Sequence, residues 1–266
     1  MTSQQTEHRG LSVQSISTSF GDGQARVAVL DDISMNVDEG EFVAVVGPSG
    51  SGKSTLLNAI AGFAPPDSGE LLVNGQPVRE PGPSRCVVFQ EYAVFPWLTV
   101  RRNIDFGTRL RSWTGTRQQR AQIVDRYLDM MGLREFAEAL PKTLSGGMRQ
   151  RVAIARAYAV DPQILLMDEP FAALDAQTRE YMQESLIEIN QRERRTVMFV
   201  THQVEEAIFL ADRVIVMTAR PATIQEVVPI PWKGPERTHE IKTDPEFVRL
   251  RRHIEGLLRS PDGHGS

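Results

Sequence analysis

Gly47, Pro48, Ser49, Gly50, Ser51, Gly52, Lys53 and Ser54 follow the spacing G-x-x-x-x-G-K-[ST], and Thr55 comes next. Glycines at these intervals let the backbone wrap tightly, so that successive amides point inward at phosphate oxygens. A helix starting at the end of the loop adds its positive N-terminal end. Lys53 supplies a mobile point charge for β- and γ-phosphates, and the Ser54 hydroxyl is placed to ligate Mg2+. Alone, the segment says nucleotide binding and nothing finer, because kinases, GTPases and motors share it.

Two further segments narrow the chemistry. Ile164 to Met167 is an apolar run that ends in Asp168 and Glu169. An aspartate at the tip of a buried strand beside a phosphate loop can hold Mg2+ through water. A neighbouring carboxylate can polarise an attacking water as general base. Without the loop, the same pair reads as an acidic turn before Pro170. In Leu144 to Arg151, Ser145 is a good N-cap, and Gly146 and Gly147 leave bare amides at a helix start, a second anion-facing site. An ordinary capped helix start has the same composition. Ser145 lies 92 positions beyond Lys53, so one chain carries two phosphate-facing surfaces that need not meet within itself. Two copies arranged head to tail pair them.

The elements that must hold these residues follow from pattern. Val13 to Ile16 alternates, Val27 to Leu30 is a short apolar run, and Phe42 to Val46 is a continuous β-branched run, as in a strand buried on both faces. Lys53 to Ala61 is rich in helix formers. Strands are predicted at Leu71 to Asn74 and Arg85 to Phe89, ending at Gln90. From about Arg101 to Leu140 the β signals vanish, while Ile123, Val124, Tyr127, Leu128 and Met131 recur at helical spacing. Strand Ile164 to Met167, helix Ala176 to Gln191, strand Thr196 to Val200, helix Val204 to Ala211 and strand Val214 to Met217 restore the alternation that implies a largely parallel sheet. The expectation is an α/β chain. Its divisions are a P-loop NTPase core with an antiparallel N-terminal β region over 11–91 and 159–240, a helical insert over 92–158, and a C-terminal helix over 241–260. Ala219 to Arg237 is punctuated by prolines and reads as extended or looping. Asp244, Pro245 and Glu246 start the last helix.

Composition excludes other classes. The chain has 266 residues, 41% hydrophobic and 24% charged, with one cysteine and a net charge of −4. A chain of this length buries a full core without staples. One cysteine permits no intrachain disulfide and fits a reducing compartment. An acidic balance argues against nucleic acid as main ligand. The longest aliphatic runs fall far short of the roughly 18–20 residues that cross a bilayer. Residues 1–10 are polar and lack the apolar stretch of a secretory leader. The reading is a soluble cytosolic chain, any membrane role of which must come through a partner. Arg109, Arg111, Arg117 and Arg120 read as a solvated helical face.

Taken in order, these segments resemble the ATP-binding cassette (ABC) family over about residues 11–217. The phosphate loop is Gly47 to Thr55, the glutamine at the insert boundary is Gln90, and the signature is Leu144 to Gln150. The acidic strand is Ile164 to Glu169, the dimer-contacting loop is Ala173 to Asp175, and the switch histidine is His202. The resemblance implies an ATPase whose two copies sandwich two ATP molecules, each held by one phosphate loop and the opposite Ser145, Gly146 and Gly147. It implies that Phe20 stacks on adenine, that Gln90 links Mg2+ and the attacking water to a transmembrane contact, and that His202 senses the γ-phosphate. Phe20 also fits a small N-terminal hydrophobic contact, and Asp175 reaches across the dimer or caps the helix beginning near Ala176. Met148 and Gln203 depart from the family's commoner glutamine and aspartate.

The resemblance extends to a job. The insert would receive a helix from a transmembrane permease, and Tyr92 to Leu98 is either that docking surface or insert core. Phe95 to Val100, Pro170 to Arg179 and the ending from Ala219 to Phe247 look like bacterial nitrate, sulfonate and taurine importers. Such a subunit lies on the cytoplasmic face of the inner membrane, works as a homodimer with permease subunits and depends indirectly on a periplasmic or lipid-anchored solute-binding protein. Pyrimidine precursors and aromatic acids are competing cargoes. A soluble ABC ATPase of DNA repair or translation would carry a long coiled-coil insert or tandem cassettes, and a P-loop kinase would leave the signature unexplained.

Overall fold

The computed structural model describes residues 9–21, 23–91, 93–109 and 113–259. In chain order the elements are β1 (Gly10–Phe20), β2 (Val27–Asp38), β3 (Phe42–Val46), α1 (Lys53–Ala61), β4 (Ser68–Val73), β5 (Gln76–Pro77) and β6 (Arg85–Val88). There follow α2 (Val100–Asp105), α3 (Arg117–Met130), α4 (Gly146–Ala159), β7 (Ile164–Asp168), α5 (Ala176–Glu193), β8 (Thr196–Val200), α6 (Val204–Leu210), β9 (Arg213–Met217), β10 (Ile224–Pro229) and α7 (Pro245–Arg259). They fall into two compact units, one of residues up to Gly82 and from Arg194 onward, the other Pro83–Glu193.

The first unit holds two sheets. One is antiparallel in the order β2-β1-β4-β5. In the other, β3 lies between β8 and β9, parallel to both, and β10 adds an antiparallel edge to β9. All five residues of β3 are buried, which explains its unbroken apolar run. On α6, Ala207, Ile208 and Phe209 are fully buried. Helix α7 packs on α6 and β9, burying Phe247, Leu250 and Ile254 from one face. Its start is held as expected, with Glu246 N–H donating to Asp244 Oδ1 at 2.7 Å.

Strand β10 is the extended part of the stretch punctuated by Pro221, Pro229 and Pro231, which reads as extended or looping without a strand singled out. It is tolerated at a sheet edge, where Pro229 occupies the last position and pairs with Arg213.

The second unit is built around α4, whose residues Val152 to Ala155 and Ala157 to Ala159 are all buried. It packs against α2, α3, α5 and β6. Strands β6 and β7 and helix α5 therefore group with the helices, and the compact unit is wider than a 92–158 insert drawn from secondary structure alone. The arginine face also differs from expectation. Asp105 is 8% exposed and needs partners at that depth. Arg109 and Arg120 both pair with it, at 2.5 and 3.2 Å, so neither is simply solvated. Arg111 lies outside the described residues.

Candidate nucleotide site

In the first unit the phosphate loop leaves the C-terminal end of β3, where ligands sit in open α/β sheets. Gly52 closes the loop at φ +93°, and a Cβ there would lie 2.9 Å from both Val29 Cγ1 and Leu30 Cδ2. Lys53 follows at the first position of α1 and is 7% exposed. A cation at a helix N-terminus opposes the helix dipole. Here the loop compensates: Lys53 Nζ donates to Gly47 O and Pro48 O, each at 2.9 Å, and lies 3.5 Å from Ser51 Oγ. Ser51 is buried, Pro48 and Thr55 are half-buried, and Ser49, Gly50 and Ser54 are exposed.

His202 emerges beside this loop. Val45 and Val200 are partners in the parallel register of β3 and β8, so Gly47 and His202 each leave the sheet two residues later at the same edge. His202 is exposed and Thr201 before it is buried. Phe20 ends β1 with its residue 52% exposed, so the ring is not sealed into an N-terminal hydrophobic contact. A residue that sequence spacing did not single out, Arg220, donates from Nε and Nη2 to Gly50 O at 3.2 and 3.0 Å. The turn that carries it is tied to β2, with Ala222 N–H bonded to Val29 O at 2.9 Å. A separation of 170 residues leaves no local signal for that contact.

In the second unit β6 and β7 run parallel with Val88 opposite Met167. Gln90 and Glu169 therefore also emerge two residues past partnered positions. Gln90 is exposed, and Asp168 and Glu169 are half-buried. Glu169 has φ +45°, a left-handed conformation that costs a non-glycine residue roughly 1–3 kcal/mol and persists where surroundings enforce it. Its carbonyl accepts from Ala172 N–H at 3.1 Å.

Ser145 caps α4 as expected, its Oγ accepting from Met148 N–H at 3.2 Å, and it is exposed. Gly147 is required by packing, because a Cβ would lie 2.3 Å from Thr178 Cγ2. Thr178 is in turn bound by Asp175, donating its N–H to Oδ1 at 3.0 Å and its hydroxyl to Oδ2 at 2.7 Å. Asp175 thus caps α5, and Thr178 links that cap to the start of the signature helix. These hydrogen bonds from Thr178 hold the Asp175 carboxyl below its ordinary 3.8. A depressed carboxylate contributes stability that is fully present above its unfolded value and lost as pH falls through the folded one. Asp175→Ala is expected to melt a few degrees below wild type at pH 7, with the gap closing as pH drops below 3.8. A gap that stayed constant across thermal melts from pH 7 to pH 3 would contradict the cap.

The Phe95 to Leu98 stretch divides. Phe95 packs against Phe106 at a 4.4 Å centroid distance with the Arg156 guanidinium 5.0 Å from its ring, whereas Trp97 is 71% exposed. Fully buried Asn103 fixes the turn, accepting from Phe95 N–H at 2.8 Å and donating to the carbonyls of Phe95, Leu98 and Thr99. Tyr92 lies outside the described residues.

Residues 30–172 match the ABC transporter family. The chain belongs to that family. As an ABC ATPase it binds ATP and couples its hydrolysis to transport. The ABC protein is 48% identical to the nitrate import ATP-binding protein NrtD of Synechocystis sp., over 94% of this chain and 95% of that one. It is 42% identical to the bicarbonate transport ATP-binding protein CmpD of Synechocystis sp., over 96% and 90%. Among solved structures it is similar to an ATP-binding cassette captured as a dimer in a post-hydrolysis state with ADP and Pi. That likeness has a TM-score of 0.71 and 30% identity, covering 84% of this chain and 100% of that one. No helix of the ABC protein's described residues is long and apolar enough to cross a membrane.

Among the described residues, no group of three or more His, Cys, Asp or Glu side chains forms a metal cage. The side chains expected to hold Mg2+ are Ser54 in the first unit and Gln90 and Asp168 in the second, oxygen donors with a single acid among them. That suits Mg2+, which keeps several waters and binds through one or two carboxylates plus substrate phosphates.

Proposed function

We propose that this ABC ATPase is the energising subunit of a bacterial importer for a small anion, with nitrate the first candidate. The observation that carries the reading is the phosphate loop with buried Lys53 in one unit and the exposed, capped Ser145 helix start in the other. Two such surfaces pair when two copies meet head to tail around ATP. In this assignment Gly47 to Thr55 cradles the phosphates, with Lys53 against the β- and γ-phosphates and Phe20 on the adenine. Ser145, Gly146 and Gly147 of the other copy donate to the γ-phosphate, and Asp175 meets that copy across the interface. Glu169 takes the proton of the attacking water, Gln90 orients that water, and His202 contacts the γ-phosphate.

Ser54, Gln90 and Asp168 would hold Mg2+, which neutralises developing phosphate charge. The core over 11–91 and 159–240, the insert over 92–158 and the helix over 241–260 divide these tasks. Exposed Trp97 marks the permease-facing side of the insert. Closing the ATP sandwich would move the permease subunits between inward- and outward-open states.

The small-anion reading draws support from relatives named for nitrate and bicarbonate and from the sequence's likeness to sulfonate and taurine importers. Cargo is chosen by the permease and a periplasmic or lipid-anchored binding protein, while this subunit sits at the cytoplasmic face of the inner membrane. The test is co-purification of the tagged chain from solubilised membranes, then reconstitution of the complex in proteoliposomes with enclosed ATP and the solute-binding protein supplied outside. Labelled nitrate, bicarbonate and taurine are offered in competition. ATP-dependent nitrate uptake is expected. Uptake of none of the three by a complex that hydrolyses ATP would overturn the cargo reading, and recovery of no hydrophobic permease would overturn the importer reading.

A further inference from the structure

His202 is carried by a buried relay that lies outside the ATP-contacting set. Glu206 is 3% exposed and stands at the third position of α6. An acid at that position ordinarily reaches back to the backbone N–H of the cap residue. Here the cap residue Gln203 gives its N–H to Thr201 Oγ1 at 3.1 Å, and Thr201 Oγ1 donates to Glu206 Oε2 at 2.5 Å. A threonine hydroxyl has one proton and two lone pairs. Its proton is committed to the buried carboxylate, which leaves an oxygen lone pair turned to the Gln203 amide. Thr201 is 1% exposed, and its own N–H bonds to Val45 O at 3.2 Å, on the strand that runs into the phosphate loop. The backbone is thus fixed on both sides of His202, and His202 between them is the exposed residue.

We infer that Thr201 and Glu206 are positioning residues for His202. The carboxylate orients the hydroxyl, the hydroxyl holds the turn, and the turn aims the imidazole. The inference rests on the reading of His202 as the γ-phosphate contact. A buried carboxylate is costly unless it is hydrogen-bonded, and this one accepts from the residue before the histidine.

The test uses the full-length chain in steady-state ATPase assays. Thr201→Val keeps the shape and removes both hydrogen bonds, whereas Thr201→Ser keeps them. Thr201→Val is expected to lower kcat about tenfold or more with KM within ~2-fold of wild type, and Thr201→Ser to stay within ~3-fold in both. In a His202→Ala background, adding Thr201→Val is expected to change nothing further. A wild-type rate for Thr201→Val, or a loss that multiplies in full on that of His202→Ala, would overturn the relay. If Thr201→Val does not fold, Thr201→Ala, which also lacks the hydroxyl, carries the same comparison. A wild-type rate for His202→Ala defeats the reading of His202 instead, and the relay is then read from the His202 ring resonances by NMR. They should broaden by exchange in Thr201→Val, and unchanged lines would refute the positioning role.

Discussion

Glu169→Gln is expected to slow ATP hydrolysis by about 10²–10⁴-fold while ATP still binds, the loss that follows removal of a general base. Glutamine matches the shape of glutamate but cannot take the proton of an attacking water. The substitution also leaves the backbone question untouched, since both residues bear the same penalty at φ +45°. Thermal stability should therefore stay near wild type, which separates lost chemistry from lost folding. Glu169→Gly removes the base and the strain together, so it should be inactive yet melt above Glu169→Ala. Phosphate release measures the chemistry, and equilibrium dialysis measures retained ATP. With hydrolysis blocked, ATP is expected to hold Glu169→Gln as a dimer in sedimentation. Wild-type turnover in this variant would show that the base lies elsewhere.

How far the site was legible depended on whether its determinants were local. Strand β3, helix α1 and strand β8 fall at the residues the sequence indicated, because a buried apolar run bounded by glycines or polar turns has sharp edges. Gly52 and Lys53 could be placed for the same reason. Strand β2 was legible only at Val27 to Leu30, since Asp31 and Asp32 interrupt the apolar alternation. The strand continues to Asp38 with a register shift against β1 and Asp32 at φ +48°. Strand β10 was hidden by prolines that an edge position tolerates.

Side chains that act at long range were the least legible. Arg220 has no spacing relation to Gly50, and the pairing exists because the turn after β9 is bonded to β2. Glu206 looks like an ordinary acid in the first turn of a helix, favoured there by the dipole. The interposed Thr201 hydroxyl distinguishes it. Asp175 shows the opposite case. Its two sequence readings, helix cap and dimer contact, do not compete, because the cap uses the carboxylate's bonds to Thr178 while the residue stays exposed. Thr178 then joins that cap to Gly147, so the loop ending at Asp175 and the start of α4 are packed through one residue.

The second large effect is expected at Lys53. Its ammonium bonds to Gly47 O and Pro48 O, so it anchors the loop proposed to receive phosphate. Lys53→Ala removes a charge-assisted contact to phosphate worth roughly 1.5–3 kcal/mol and also leaves two loop carbonyls without their donor. The contact alone corresponds to about 10–150-fold weaker ATP binding. Lys53→Arg is expected to fail as well, because a larger planar guanidinium does not fit a position that is 7% exposed. Titration with a fluorescent ATP analogue reads both variants directly. The wild-type affinity should also fall only modestly between low and high salt, since a buried charge is screened less than an exposed one. Unchanged affinity in Lys53→Ala would mean that the loop amides hold the phosphates unaided, and Lys53 would then be an anchor of the loop rather than a ligand for ATP.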